Sequence, residues 1–239
     1  MTLASVHIFH AYFRLRLHID NLKIRAYNNI MKKVIGICGL IGHGKDTAAG
    51  FLISEGFQRI SFAGVLKDAC ANIFGWDRIL LEGNTPESRV FRESVDSWWA
   101  KRLDMPDFTP RLALQVVGTD VLRTHFHPDI WVAACERQIE MTDNNVVISD
   151  CRFFNELEVI KRLGGSTAVV WRNEQPMWWA TASGINKAGA SNSPHNSMDV
   201  IFPEVHKSEW SWAGWNFDYV INNTTSLEDL KTQVLNSLN

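Results

Sequence analysis

The stretch Gly39-Leu40-Ile41-Gly42-His43-Gly44-Lys45-Asp46-Thr47 brings three glycines, a lysine, a carboxylate and a hydroxyl into nine residues. That combination suits a chain of phosphates. Backbone N–H groups can wrap the phosphate oxygens, a helix N-terminus adds positive potential, and a lysine reaches the outer phosphates. Glycine is needed because a side chain would hold the backbone away from its ligand. Gly39 and Gly44-Lys45 match the P-loop spacing, whereas Asp46 stands where a Ser or Thr would meet magnesium and Thr47 follows one position later. A dinucleotide fingerprint fails, because Gly42-x-Gly44 would need a glycine at the position of Thr47. The plainer account is a glycine turn with a solvated lysine. The buried-strand run Val34 to Cys38 before it, and the helical spacing of Ala48, Phe51 and Leu52 after it, favour the phosphate cradle.

Other residues could extend this chemistry. Asp150 ends the apolar run Val146-Val147-Ile148 and is followed closely by Arg152. A carboxylate at the carboxyl end of such a strand can hold magnesium through water, bind an acceptor hydroxyl, or simply cap the helix containing Leu157 and Ile160. Arg111 opens a helix, where a cation opposes the helix dipole, so either an anionic substrate or a nearby carboxylate must account for it. Lys67 follows Ser61-Phe62-Ala63-Gly64 and either reaches a phosphate or faces water. Gly118, in a helical run, implies close packing or close approach of a ligand. His125 and His127 lack further ligands nearby and read as non-metal residues, and His206-Lys207-Ser208-Glu209 reads as a polar turn.

The elements that must carry these residues alternate between strand and helix. Strands are expected at 34–38, 57–62, 145–149, 167–171 and 217–221. Three are continuous aliphatic runs, as strands buried on both faces are. The expected fold is α/β: a five-stranded parallel sheet with helices on both faces, in the three-layer P-loop arrangement. Thr109-Pro110 starts one helix, and Thr225-Ser226-Leu227-Glu228 reads as a capping box before a final helix with Leu227, Leu230 and Val234 turned inward. Two stretches exceed a minimal sheet. Residues 75–110 read as an acceptor lobe, and 173–216, rich in Ser, Asn and Trp, as a lid. Residues 1–30 are basic and poor in acids, and we expect them to be a dispensable extension before a P-loop domain at 31–239 that begins at Met31.

The chain has 239 residues, 46% of them hydrophobic, and a net charge of -2, which argues against a general nucleic-acid or membrane-surface binder. No apolar run approaches the roughly 20 residues of a membrane span. Cys38, Cys70, Cys135 and Cys151 are scattered, with no C-x-x-C pair, and read as reduced core thiols of a cytoplasmic protein.

Gly44-Lys45-Asp46-Thr47, Ser61-Phe62-Ala63-Gly64-x-x-Lys67-Asp68, Arg111-x-x-x-Gln115-x-x-Gly118-Thr119-Asp120, Trp131 and Asp150-x-Arg152-x-x-x-Glu156 occur in this order. Together they resemble the deoxynucleoside monophosphate kinases of tailed phages, within the P-loop kinases. The resemblance implies transfer of the ATP γ-phosphate to a dNMP, giving dNDP and ADP, in a host cytoplasm, with Mg2+ as cofactor. It implies that Gly39, Gly42, Gly44, Lys45, Asp46 and Thr47 bind ATP, with Thr47 and Asp46 near the metal. It places Lys67, Arg111, Thr119, Trp131, Asp150, Arg152 and Glu156 at the monophosphate, and Lys45, Asp150 and Arg152 in catalysis. No arginine follows Arg172, so lid charge would come from Arg152, Arg172, Lys187 or Lys207. Small nucleotides are the expected partners, a homodimer is compatible, and neither nucleic acid nor membrane is expected. The rival readings are another small-molecule P-loop kinase, such as a dephospho-coenzyme A kinase with Asp150 as base, and a nucleotide-binding module without transfer chemistry.

Overall fold

Val34, Ile35, Ile37 and Cys38 are all nearly inaccessible, so strand β1 (Val34–Cys38) lies at the centre of the molecule. The computed structural model describes residues 32–189 and 197–237. The expected extension at 1–30 and part of the long insert fall outside them. After β1 come α1 (Lys45–Ser54), β2 (Gln58–Arg59), α2 (Gly64–Phe74), a 3-10 turn (Ile79–Leu81), α3 (Pro86–Glu93), α4 (Ser97–Leu103) and α5 (Pro110–Gln115). A π-helix, Val116–Phe126, continues α5, and α6 (Ile130–Met141), β3 (Val146–Ile148), α7 (Phe154–Arg162) and β4 (Ser166–Trp171) follow. The long insert supplies α8 (Trp179–Lys187), α9 (Ser197–Ile201) and α10 (Lys207–Trp210), before β5 (Tyr219–Asn222) and α11 (Leu227–Asn236).

All the strand pairs are parallel and the order is β2-β3-β1-β4-β5. Alternation along each strand divides the core. Ile35, Ile37, Val147, Ala168 and Val170 pack with α1 and α11 on one face. Val34, Cys38, Val146, Ile148 and Val169 pack with α6 and α7 on the other. A Cβ at Gly36 would lie 2.2 Å from Ile160 Cδ1, so glycine there lets α7 close onto the sheet. This is the three-layer α/β architecture that the strand pattern implies.

The structure adjusts several local expectations. Strand β2 is only Gln58–Arg59, because Phe62 and Ala63 turn away to bond Asp150. The final capping box is Ser226 with Asp229, one position later than read, since Ser226 is the extended residue. Leu227 is consequently exposed, whereas Leu230 and Val234 are buried as expected. Thr109 caps α5 with Pro110 in its first turn, as the sequence implies. The four cysteines are buried and free.

The two insertions form subsidiary cores. In 75–110, Trp76, Leu81 and Phe108 join Cys70 and Leu114, with Phe74, Phe91 and Trp99 packed alongside. In the long insert, Ala182, Met198, Trp210 and Ala213 pack together. Trp212 passes into the main core, where its ring meets Trp171 and Trp179 at 5.8 and 4.9 Å. The described part of the insert is therefore anchored to the C-terminal end of β4 by buried aromatic area, the dominant favourable term in such packing.

Candidate active site

Between β1 and α1 the chain turns through Gly39, Gly42 and Gly44, and the last two have φ of 80° and 98°. These are left-handed values that favour glycine. Gly44 has a second constraint: a Cβ there would lie 2.4 Å from Asn223 Nδ2. That amide donates to the His43 carbonyl at 2.9 Å and ties the turn to the end of β5. His43 is itself buried, accepts the Arg172 amide on Nδ1 at 3.3 Å, and stands edge-on to Trp171. Burial lowers its pKa; a hydrogen bond with the Val170 backbone opposes this, and the charges of Lys45 and Arg172 add to it. A neutral His43 is thus the post on which the turn is hung, a role not evident from its place in the sequence.

The turn opens into a cavity of about 340 Å3 lined by Gly42, Gly44, Lys45, Asp46, Thr47, Arg172, Asn223, Thr225 and Leu227. Lys45 and Arg172 bring positive charge there, with backbone amides at the N-terminus of α1. Asp46 and Thr47 are both exposed and offer a carboxylate and a hydroxyl, oxygen donors of the kind magnesium takes. Among the described residues no three His, Cys, Asp or Glu side chains cluster as a metal site. A magnesium ion here would take most of its ligands from phosphates and water.

A second cavity, of about 760 Å3, lies along the open edge of the sheet beside β2. Arg59, Ser61, Lys67, Asp68, Arg78, Glu82, Asn84, Gln138 and Asp150 are among its walls. Lys67 Nζ bonds Glu82 at 2.6 Å, and Arg78 bonds both Asp68 and Glu82. Burial works to raise the Glu82 carboxyl, but hydrogen bonds from Lys67 and Arg78 outweigh it and hold it below the usual range. Asp150 accepts the Phe62 and Ala63 amides, one on each oxygen, both at 3.1 Å. It fastens the turn that starts α2 and carries Lys67, and it does not cap α7, whose N-cap is Phe153.

The remaining expected residues lie apart from both cavities. Arg111 pairs with Glu93 at 2.7 Å, and both side chains are well exposed. Trp131 is buried, with its indole N–H on the Gly118 carbonyl at 2.8 Å. A Cβ at Gly118 would meet Leu66 at 2.6 Å, which bears out the close-packing reading of that glycine. Thr119 is exposed on the π-helix, and its carbonyl accepts the Thr124 hydroxyl. Glu156 is buried at the start of α7, where it accepts the Arg152 and Phe153 amides and pairs with Arg123 at 3.2 Å. Burial pushes its carboxyl up to about 7; the Arg152 amide opposes this, the charge of Asp150 adds to it, and Arg123 opposes it. The Arg152 guanidinium bonds Glu209 on α10. The expected polar turn at 206–209 is therefore a capped helix that reaches the Asp-x-Arg segment.

One set of contacts escaped the sequence reading. Arg59, a wall of the larger cavity, donates to Asp46 at 2.9 Å and to Ser149 at 3.0 Å, and Ser149 donates to the same Asp46 oxygen at 2.9 Å. An arginine in a two-residue strand carries no motif, and only its register beside β3 reveals it.

No family model matches the chain. Among solved structures it is similar to TT1252 from Thermus thermophilus (21% identity, TM-score 0.42) and to a dephospho-CoA kinase from Campylobacter jejuni (18% identity, TM-score 0.41). Each alignment covers 87% of this chain and 96% of the other, and both likenesses are too loose to bear on activity. Among curated proteins, a relative from Acanthamoeba polyphaga mimivirus is named, provisionally, as a deoxynucleotide monophosphate kinase. It is 37% identical over 145 residues, which span 55% of this chain and 70% of the relative. By that match the chain belongs to the family of this viral protein, the deoxynucleotide monophosphate kinases.

Proposed function

We propose that the protein transfers the γ-phosphate of ATP to a deoxynucleoside monophosphate, releasing a dNDP and ADP. One observation carries the reading. The phosphate cradle and a separate cavity with cationic walls meet at a hydrogen-bonded pair, Asp46 of the first and Arg59 of the second. Two nucleotides placed in these cavities would bring their phosphates together at that junction.

Phosphoryl transfer asks mainly for alignment, cancelled repulsion and exclusion of water. In this proposal the amides at Gly42 and Gly44 and the ammonium of Lys45 hold the β- and γ-phosphates, and Arg172 and Asn223 flank the donor. Asp46 and Thr47 hold magnesium, which when bound neutralises charge on the transferring phosphate. Lys67 meets the acceptor phosphate from the first turn of α2, which follows the segment that Asp150 fastens. A monophosphate acceptor is already anionic at neutral pH and needs no general base. The engagement of both Asp150 oxygens by backbone amides favours this acceptor over the hydroxyl that a coenzyme A precursor would present. ADP release measured with each dNMP and NMP in turn tests the proposal. Turnover with a dNMP is the expected result, and turnover only with a hydroxyl acceptor would reject it.

A further inference from the structure

Transfer between two anions needs a cation at their meeting point that both can use. The described arginines near the site are mostly committed elsewhere. Arg152 is held by Glu209, Arg78 by Asp68 and Glu82, and Arg172 lines only the smaller cavity. Arg59 differs: it lines the larger cavity, and its guanidinium touches the first turn of α1 through Asp46.

We infer that Arg59 is the cation that spans donor and acceptor phosphates, released from Asp46 as the two nucleotides arrive. This rests on the proposed phosphotransfer. Three features support it. The Arg59–Asp46 pair is exposed on both sides, with side-chain accessibilities of 45% and 62%, so little holds it against a phosphate. A guanidinium has five donors in a planar fork, so it can stay on the Ser149 hydroxyl while turning other N–H groups to phosphate oxygens. The exchange also takes a cation away from the Asp46 carboxylate, one oxygen of which still accepts from Ser149, at the point where the sequence departs from the usual hydroxyl, so that its charge can be balanced by magnesium.

The test compares Arg59→Ala and Arg59→Lys with the unaltered chain, measuring kcat, the KM of ATP and of dNMP, the melting temperature, and rescue by added guanidinium chloride at low concentration. The expected result for Arg59→Ala is a kcat lowered roughly a hundredfold, the scale of losing one preorganised charge partner. The ATP KM should stay within about threefold, melting should be unchanged, and guanidinium should recover part of the rate. Arg59→Lys should recover little, because an ammonium lacks the fork. Retained kcat in Arg59→Ala overturns the inference. So does a rate loss that tracks a fall in melting temperature and resists guanidinium, since that marks a packing role. An unaltered chain that turns over beside an unimpaired Arg59→Ala removes the inference alone. An unaltered chain that releases no ADP with any dNMP and does not bind a dinucleoside pentaphosphate removes the functional reading with it.

Discussion

The two cavities are built on opposite principles. The smaller is made largely of backbone: glycines in left-handed conformations, fixed by Asn223 and the buried His43, present amides with Lys45 and Arg172 at the rim. The larger is made of side chains, and its cations are already paired: Lys67 with Glu82, Arg78 with Glu82 and Asp68, Arg59 with Asp46. In the proposed reaction the first site would need little rearrangement to take an anion, since the pair between Lys45 and Asp46 is long, at 4.0 Å. In that reaction the second would have to trade internal carboxylates for a phosphate, so binding there would report a difference between two sets of charge-assisted bonds. A kinase arranged in this way would hold its donor by shape and tune its acceptor by competition.

The contrast can be broken at several points. The largest effect is expected at Lys45→Met, which should cut turnover by about a thousandfold or more while circular dichroism stays native; retained activity would remove the cradle from the chemistry. Gly44→Ala comes next. The added methyl meets Asn223 Nδ2 at a left-handed φ, so ATP affinity should fall at least tenfold, with a loss of about 1–3 kcal/mol of stability in urea unfolding. Normal ATP binding would show that the turn is not preformed. On the other side, Glu82→Gln should lower the dNMP KM by roughly threefold to tenfold by releasing Lys67 and Arg78. A raised KM would mean that Glu82 positions these cations and does not compete for them.

A pH titration sharpens the same comparison. Glu156 holds its proton up to about 7 in the folded chain, against the ordinary carboxyl range when unfolded. Between those values the folded state binds more protons, so stability should decline as pH rises through that window and be fullest below it. Glu156→Gln should flatten this part of the stability profile; an unchanged slope would assign it to other groups. The smallest effect is expected at Arg111→Ala. Its pair with Glu93 is exposed, and the dNMP KM should move by no more than about twofold. A tenfold rise would extend the acceptor site to α5.

The sequence exposed the sheet and the glycine turn because both rest on local signals. Short aliphatic, β-branched runs such as Val146-Val147-Ile148 suit buried strands, and Gly42-His43-Gly44-Lys45 needs its spacing whatever surrounds it. The acceptor side was harder to read because its contacts are long-range. Arg59 meets Ser149 across ninety positions, and Glu209 reaches Arg152 from the far end of the insert. Trp131, expected at the substrate, instead ties the π-helix to α6, since an indole N–H satisfied by a backbone carbonyl is a common fate of a buried ring. The capping box at 226–229 slipped by one because adjacent Thr225 and Ser226 are equivalent as caps until the backbone chooses.

The edge-on contact of His43 with Trp171, 5.6 Å between ring centres, places an intrinsic fluorophore directly behind the glycine turn. Because the imidazole there is kept uncharged, it is a poor quencher, and the indole should emit steadily over the neutral range. Any tightening of the loop would then alter the surroundings of that one ring, and through it Trp179 and Trp212, which follow in edge-on contact, so nucleotide loading could be followed by light from the chain without an attached dye.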